Sequence, residues 1–270
     1  IASSTLLVYS GSTVTNAASV NTVIDYGGTL SQGTYASTTS ALTFSTITVQ
    51  NGGNITHLAN TTAQTNILNL GATTMTVNAG GSLNVVSKGY SGGVLGGGGS
   101  ENGKGPGGGT GLASGGAGGG GHGGDGGDGS SVSGGSGYCD LTNPGTIGSG
   151  SGAGSSGSSG VGAGLIILNI TGTLTVNGTI SAVGATGASA SGGGAGGGVK
   201  ITADTIAGTP TSFTVAGGDS GSSSGNGGGG GGCVLLSYTT SNSISPTSTY
   251  FIMGGGTGNA KRGGAGVVYV

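Results

Sequence analysis

Apolar and polar residues alternate in short blocks over the first 90 residues of the chain. Residues 42–49 (LTFSTITV) and 83–86 (LNVV) are two of these blocks, and glycine pairs at 27–28, 52–53 and 80–81 separate them. An alternation with a period of two, bounded by turn residues, is typical of half-buried β-strands. Glycine also interrupts every window in which apolar residues could follow a helical spacing. The pattern therefore predicts an all-β fold with essentially no α-helix.

Apolar blocks recur at a fixed spacing from residue 165 onward. They begin at Leu165, Val199, Cys233 and Val267, each 34 residues after the one before, and a glycine-rich tract precedes each of them. A period of about 20 to 50 residues indicates a repeat architecture. The spacing predicts a parallel β-solenoid (β-helix) with one unit per winding, in which equivalent blocks stack as parallel strands.

The glycine tracts are expected to form a second packed layer beside these strands. A glycine run has no Cβ, so it can follow a polyproline-II-like path and approach its neighbours closely enough for backbone hydrogen bonds. Ordering glycine costs more entropy than ordering other residues, so such a layer is favourable only where many runs stack. We expect one continuous fold with three zones: a β-rich region at 1–90, a glycine-rich segment at 91–164 and the periodic strands at 165–270.

Composition excludes several classes of protein. Glycine makes up 73 of 270 residues, while the chain has five Lys and Arg residues, seven Asp and Glu residues and a formal net charge of −2. So few cations cannot neutralise a phosphate backbone, which excludes nucleic acid as a partner. Gly- and Ser-rich chains are often disordered, but the blocks of Thr, Val and Ile favour a folded protein here. No apolar stretch reaches the ~18 residues that a membrane span needs.

Several features indicate an exported protein. The chain begins at Ile1 without an initiator methionine or a signal peptide, which we interpret as a processed chain or an excised part of a longer one. A chain with so few charges is at risk of self-association in the cytoplasm, and a single cysteine pair suits an oxidising compartment. We predict an extracellular or cell-surface location.

One family resemblance is carried by a succession of motifs: residues 47–57 (ITVQNGGNITH), 77–85 (VNAGGSLNV) and 88–90 (KGY), a long glycine tract, and 174–182 (LTVNGTISA). This order resembles the glycine-rich β-helix modules of very large secreted and surface proteins of environmental bacteria and archaea. The resemblance extends over the chain from about Leu42 onward and implies a β-helix architecture and a location outside the cell. A looser resemblance, in composition alone, is to the glycine-rich adhesin tips of tailed-phage fibres.

Titratable residues are too sparse to predict an enzyme. Seven carboxylates are spread over 270 residues and the chain has two histidines, whereas acid–base catalysis requires titratable groups that lie together. The same sparsity argues against a solenoid polysaccharide lyase. We predict no enzymatic activity and no cofactor.

One short motif collects potential metal ligands. His122, Asp125 and Asp128 are separated by glycine pairs, and residues 120–125 match the start of the calcium-binding nonapeptide repeat. The match then fails, because glycine occupies position 127, where a large apolar residue is required, and no second copy follows. We predict no metal site, and these three residues remain the candidates for one.

The two cysteines allow two interpretations. Cys139 and Cys233 can form a disulfide in an oxidising compartment. Alternatively, Cys233 is a small buried core residue, because it begins a block in the same way as Leu165, Val199 and Val267.

Two kinds of surface feature concern glycans. Asn54 and Asn60 lie in N-x-[ST] acceptor motifs, as do Asn169 and Asn177, and Asn54 and Asn60 are the glycosylation candidates. An exposed row of tyrosines could stack on sugar rings. The eight tyrosines do not follow the 34-residue period, however, so we prefer ordinary packing for Tyr9, Tyr26, Tyr35, Tyr90, Tyr138, Tyr238, Tyr250 and Tyr269.

Apolar strands near both ends of the chain suggest assembly. The candidate assembly residues are Leu6, Leu7, Val8 and Tyr9 at one end and Val267, Val268, Tyr269 and Val270 at the other. Strand edges without caps pair readily with another chain. We therefore predict a homopolymer: a subunit or tandem module of an extracellular filament or fibre, joined head to tail through these strands. The alternative is an adhesin module that binds glycans or a receptor.

Overall fold

The computed structural model of the protein describes residues 5–9, 13–15, 22–26, 28–33, 38–39, 41–96, 99–221, 225–244, 250–256 and 261–270, with the strands at 5–9, 13–15, 22–26 and 250–251 described by their backbone alone. Within these ranges all regular secondary structure is β, and no helix occurs. The strands that the alternating pattern predicts are therefore present.

Most strands in the described part of the chain belong to two parallel sheets, whose strands are counted over those residues. The first sheet has eight strands, in the order β1 (Thr5–Tyr9), β3 (Thr22–Tyr26), β5 (Leu42–Val49), β7 (Leu68–Val77), β11 (Leu165–Val176), β13 (Gly198–Ala207), β15 (Cys233–Asn242) and β17 (Val267–Tyr269). The second sheet has seven, in the order β2 (Thr13–Thr15), β4 (Thr29–Gln32), β6 (Asn54–His57), β8 (Ser82–Asn84), β12 (Thr179–Ser181), β14 (Ser212–Thr214) and β16 (Tyr250–Phe251). An antiparallel pair of two-residue strands, β9 (Leu95–Gly96) and β10 (Gly99–Ser100), stands apart.

The predicted β-solenoid is wrong. The strands form two flat, separate parallel sheets that stack on one another, and the described residues show no closure of a winding. Strand β7 pairs directly with β11, although residues 85–164 lie between β8 and β11 in the chain and add no strand to either sheet. A sequence period indicates that equivalent strands pair side by side. It carries no information on whether the chain closes between them, and this is why the prediction failed.

The register of the periodic strands also differs from the prediction. Val199 is paired with Ile166 on one side and with Val234 on the other, and Val234 is paired with Val268. Equivalent residues are thus 33, 35 and 34 positions apart instead of uniformly 34. The reason is that β13 begins at Gly198, inside the preceding glycine tract, so the first apolar residue of that block does not mark the start of its strand.

The hydrophobic core lies between the two sheets. Alternate side chains of both sheets point into it, as expected for stacked sheets. Its fully buried members include Ile47, Met75, Leu168, Ile201 and Leu236 from the first sheet and Leu30, Ile55, Leu83, Ile180 and Phe213 from the second.

A second, smaller cluster covers the opposite face of the first sheet. Leu165 and Ile167 of β11 pack there against Ile67 and Ile147, with Tyr90 at the edge. Ile147 belongs to the glycine-rich segment, which therefore covers the beginning of β11 on its outer face. Burial on both faces explains why residues 165–168 (LIIL) form a continuous apolar run instead of alternating.

Glycine-rich segments form a hydrogen-bonded layer beside the sheets. In residues 227–232, amides that are three positions apart donate to the same neighbouring segment. Gly227 and Gly230 donate to the carbonyls of Ala117 and Gly120, respectively. Gly228 and Gly231 donate to those of Lys261 and Gly264, and Gly229 and Gly232 donate to those of Gly218 and Val215. A repeat of three residues is that of a polyproline-II segment. A Cβ on Gly229 would lie 1.9 Å from the carbonyl oxygen of Gly194, so the segments are too close for any side chain. The bond from Gly230 to Gly120 ties residues 91–164 to the glycine tract before β15, and the amides of Gly120 and Gly264, which donate to Gly193 and Asp125, tie them to the tracts before β13 and β17.

Candidate functional site

The two sheets present their edges at the same two ends of the stack. Strands β1 and β2 form the edges at one end, and β17 and β16 form them at the other. Gly266, just before β17, donates its amide to the carbonyl of Ile252, just after β16, at 2.7 Å, which holds the two edge strands together. Because all the strands of each sheet run in the same direction, the surface at the β1 and β2 end differs from the surface at the β16 and β17 end. The edge strands of both surfaces keep that common direction.

Strand β17 contains three of the predicted assembly residues. Val267, Val268 and Tyr269 pair with Cys233, Val234 and Leu235 of β15, and no described strand lies on their other side. Val268 is half-buried against the core, whereas Tyr269 is 54% exposed and Val270, which follows the strand, is 51% exposed. Apolar side chains therefore lie along an edge that is open in the described part of the chain.

Strand β1 contains the other four predicted assembly residues. Its backbone pairs with β3 from Thr5 opposite Thr22 to Tyr9 opposite Tyr26, and within the described ranges its other side is unpaired. The side chains of Leu6, Leu7, Val8 and Tyr9 lie outside the described part of the structure. The backbone places these residues at the end of the stack opposite β17.

The metal candidates of the sequence do not converge on one point. Asp125 accepts a hydrogen bond from the amide of Gly137 at 2.7 Å, and Asp128 accepts one from the amide of Gly134 at 3.0 Å. Both carboxylates thus bind the backbone of their own segment. His122 is instead fully buried and lies with the two cysteines, and burial lowers its pKa to about 4, against an opposing effect of the backbone of Gly197.

Cys139 and Cys233 form a disulfide across 94 residues, with their Cα atoms 6.5 Å apart. The bond joins the glycine-rich segment to the first residue of β15. Cys233 is 1% exposed and stands opposite Gly198 and Val267, so it is also a buried strand residue. The two interpretations of this cysteine are therefore compatible. The predicted equivalence of Cys233 and Val199 is wrong, because β13 begins at Gly198, one residue before Val199.

The two glycosylation candidates differ in their surroundings. Asn60 is 4% exposed, and its side-chain amide donates to the carbonyls of Asn66 and Lys88 at 2.9 and 2.7 Å. A glycan on this nitrogen would disrupt both bonds and the loop that they hold. Asn54 is half-buried in β6, where its Oδ1 accepts a hydrogen bond from the hydroxyl of Ser82 at 3.0 Å.

The tyrosines whose side chains are described form no row. Tyr238 and Tyr269 are exposed, but Tyr269 stands opposite Leu235, not opposite Tyr238. Tyr138 is half-buried, donates its hydroxyl to the carbonyl of Ile147 and accepts a hydrogen bond from Ser149 at 2.9 Å. Burial raises the pKa of the Tyr138 phenol. The side chains of Tyr9, Tyr26, Tyr35 and Tyr250 lie outside the described residues.

Sequence reasoning missed the role of His57, the other histidine of the chain. His57, at the end of β6, is fully buried, its Nδ1 donates to the carbonyl of Leu58 at 2.7 Å, and its Nε2 accepts the amide of Leu165 at 3.3 Å. Burial lowers its pKa to about 4, with hydrogen bonding to Leu58 as an opposing cause. The ring therefore links the second sheet to the start of β11 in its neutral form. No local motif signals this, because its partner is 108 residues away.

An open cleft of about 670 Å³ lies on the outer face of the first sheet. Hydroxyl and amide groups line it, with Thr43, Asn169 and Thr171 among the residues that contribute. At its rim the Lys200 ammonium donates to the side-chain oxygen of Asn143 at 2.8 Å.

No protein-family model, curated protein or solved structure matches this chain. Among the described residues, no helix has the length and apolarity that crossing a membrane requires.

Proposed function

We propose that the protein is a structural subunit or tandem module of an extracellular filament or surface fibre, joined head to tail through the edge strands of its sheets. The observation that carries this proposal is that both sheets are entirely parallel, with β16 and β17 at one end and β1 and β2 at the other.

Parallel sheets make the two ends complementary. If a second copy is translated along the direction in which the strands stack, its β1 comes to lie beside β17 of the first copy, and the two strands run in the same direction. The contact joins two different surfaces, so it can repeat without closing and produce a filament. Main-chain hydrogen bonds between the two edges supply the attraction, as in other cases of strand addition.

The side chains at the β17 edge favour this contact. Val234 of the neighbouring interior strand is 2% exposed, whereas Val268 is only partly buried and Tyr269 is largely exposed. A strand laid against β17 would extend the core over Val268. The low formal net charge of −2 also means that copies of the chain repel one another weakly.

The geometry sets the expected repeat. Eight strands at about 4.8 Å each give an axial rise of roughly 38 Å per copy, if β1 follows β17 directly. Within the ranges that the structure describes, the second sheet has seven strands, one fewer than the first. The first sheet therefore holds the junction, and the second sheet is interrupted by one strand position at each junction.

Electron microscopy of the purified chain tests the proposal. We expect filaments with the 38 Å rise estimated above, and we expect Val268→Lys to abolish them, because the ammonium group would be buried in the junction. Deletion of residues 267–270 should have the same effect while the chain stays soluble. The matched control is Thr202→Lys, which adds the same charge at an exposed position of β13. A chain that stays monomeric at all concentrations, or filaments that survive Val268→Lys, would contradict the proposal, as would a dimer with two-fold symmetry.

The alternative function, a glycan-binding adhesin module, is favoured by one observation: the cleft beside Thr43, Asn169 and Thr171. Hydroxyl and amide groups that converge on a concave surface suit the hydroxyls of a sugar. Glycan-array binding by the monomeric Val268→Lys variant, together with the absence of filaments of the unmodified chain, would favour this alternative. Loss of that binding in Asn169→Ala would locate it in the cleft.

A further inference from the structure

Three potential metal ligands meet between the glycine-rich layer and the first sheet. His122 and Cys139 come from the glycine-rich segment, and Cys233 is the first residue of β15. One ligand atom from each of the three residues lies within 4.8 Å of the other two. His122 and Cys233 are 0% and 1% exposed, so two of the three residues are shielded from bulk solvent.

The His122 ring is held in position but is incompletely bonded. Its Nε2 lies 2.9 Å from the hydroxyl oxygen of Thr146, and Tyr138 packs edge-on against it with ring centroids 5.0 Å apart. Its Nδ1 is buried and has no hydrogen-bond partner among the described residues. A buried polar nitrogen without a partner is unfavourable and calls for a further ligand. Metal-binding histidines commonly show this arrangement, in which the second ring nitrogen is fixed by a hydrogen bond and the first faces the ion.

We propose that Cys139 and Cys233, when reduced, bind one thiophilic metal ion of the Zn²⁺ class together with His122. Two thiolates and one imidazole form a donor set that Zn²⁺ prefers, with the fourth position left to water. A tetrahedral ion with bonds of about 2.0–2.3 Å needs ligand atoms roughly 3.5–3.8 Å apart. The sulfur atoms can separate to this distance once the bond between them is broken, and the nitrogen is already in the group.

The disulfide and the metal site are two exclusive states of the same residues. Reduction breaks the sulfur–sulfur bond and adds two electrons and two protons. They come either from two external thiols, which are oxidised to one disulfide, or from a phosphine and one water molecule, whose oxygen is transferred to the phosphine to form its oxide. The ion then displaces the two thiol protons, and the lone pair of the imidazole nitrogen completes the protein's ligands. Metal binding at this position therefore requires a reducing environment, and oxidation releases the ion.

The carboxylates of the same segment do not contribute. Asp125 and Asp128 already accept hydrogen bonds from backbone amides and are outside the cluster. This distinguishes the proposed site from the calcium motif that the sequence suggests. It also supplies control variants in the same segment.

Co²⁺ is the probe for the test, because its coordination to thiolate produces a charge-transfer absorption. The 270-residue chain is reduced with a phosphine under argon, freed of metal, and titrated with Co²⁺ and then with Zn²⁺. We expect one ion per chain in the reduced protein, displacement of Co²⁺ by Zn²⁺, and no thiolate band in the oxidised protein. Cys139→Ser should reduce the band and weaken binding at least tenfold, and His122→Gln should weaken binding at least tenfold. Asp128→Asn should bind as the unmodified chain does.

Three results would overturn the proposal: no stoichiometric binding by the reduced chain, equal affinity in His122→Gln, or equal binding by the oxidised chain. Circular dichroism shows whether reduction or substitution unfolds the sheets. If it does, the reduction is repeated with Zn²⁺ present and the metal content is measured after gel filtration. Failure to retain one ion per chain would then count against the site.

Discussion

The glycine layer can be tested by adding a single methyl group. Gly229 donates its amide to Gly218 at 2.9 Å and accepts the amide of Gly255 at 2.7 Å, and its missing Cβ would lie 1.9 Å from the carbonyl oxygen of Gly194. In Gly229→Ala the adjacent segments must move apart by more than an ångström, since ordinary contacts begin at about 3.4 Å. Overpacking of this kind costs roughly 1–3 kcal/mol, and two weakened hydrogen bonds add about 1 kcal/mol each. We expect the free energy of unfolding to fall by about 3–5 kcal/mol.

Gly145→Ala is the matched control. A Cβ at this position has its nearest neighbour, the carbonyl oxygen of Asn143, at 3.6 Å, which is an ordinary contact. The substitution should leave stability unchanged or raise it by about 0.4–1 kcal/mol, because alanine restricts the unfolded chain. Urea unfolding followed by circular dichroism and tyrosine fluorescence measures both variants. If Gly229→Ala lowers stability by less than about 1 kcal/mol, or by no more than the control does, the packed layer inferred from these contacts is wrong.

Three further perturbations have defined outcomes. Cys139→Ser removes a cross-link that spans 94 residues. Chain entropy predicts that the free energy of unfolding falls by about 4–5 kcal/mol in oxidising buffer and differs little from that of the unmodified chain in reductant. An equal loss in both buffers would contradict this. Burial lowers the pKa values of His57 and His122 to about 4. Because the unfolded chain then binds more protons than the folded one, the free energy of unfolding should fall as the pH drops from about 6.5 to 4, by roughly 3 kcal/mol for each ring. A urea midpoint that does not change between pH 7.5 and 4.5 would refute this. Phe213→Ala removes a side chain that is 1% exposed in the core and should cost about 3–5 kcal/mol by urea unfolding, whereas Thr202→Ala on the exposed face should cost under 0.5 kcal/mol.

The local pattern of the sequence predicts the strands but not their exact pairing. Residues 42–49 alternate because one face of β5 is buried and the other is exposed, and this requirement acts within a single strand. Register depends instead on two strands that are far apart in the chain. The pairing of Val199 with Ile166 and Val234 is decided by where the glycine tract enters the sheet, and the three glycines at 196–198 have no side chain to mark that point.

The His122 cluster shows a similar limit for sites. The sequence places His122 next to Asp125 and Asp128, and the spacing suggests an oxygen-rich ion site. In the folded chain both carboxylates bind nearby amides, while Cys233, which is distant in sequence, comes to lie beside the ring. Spacing along the chain reports ligands that are held by one local loop. It cannot report a group whose members meet only when the glycine layer packs on the sheet.

The sequence by itself therefore determines that the chain is all-β, that strands recur from residue 165 onward, and that few charged groups are present for chemistry. These properties follow from alternation, period and composition, which act locally or add up along the chain. Tertiary structure alone decided that the strands form two open sheets instead of a solenoid and that β17 and β1 lie at opposite ends. It also decided that glycine segments pack too closely for side chains, as at Gly229, where a Cβ would lie 1.9 Å from a carbonyl oxygen. The physical reason is that glycine carries no side-chain pattern, so its position is fixed by backbone hydrogen bonds to partners that are distant in the chain.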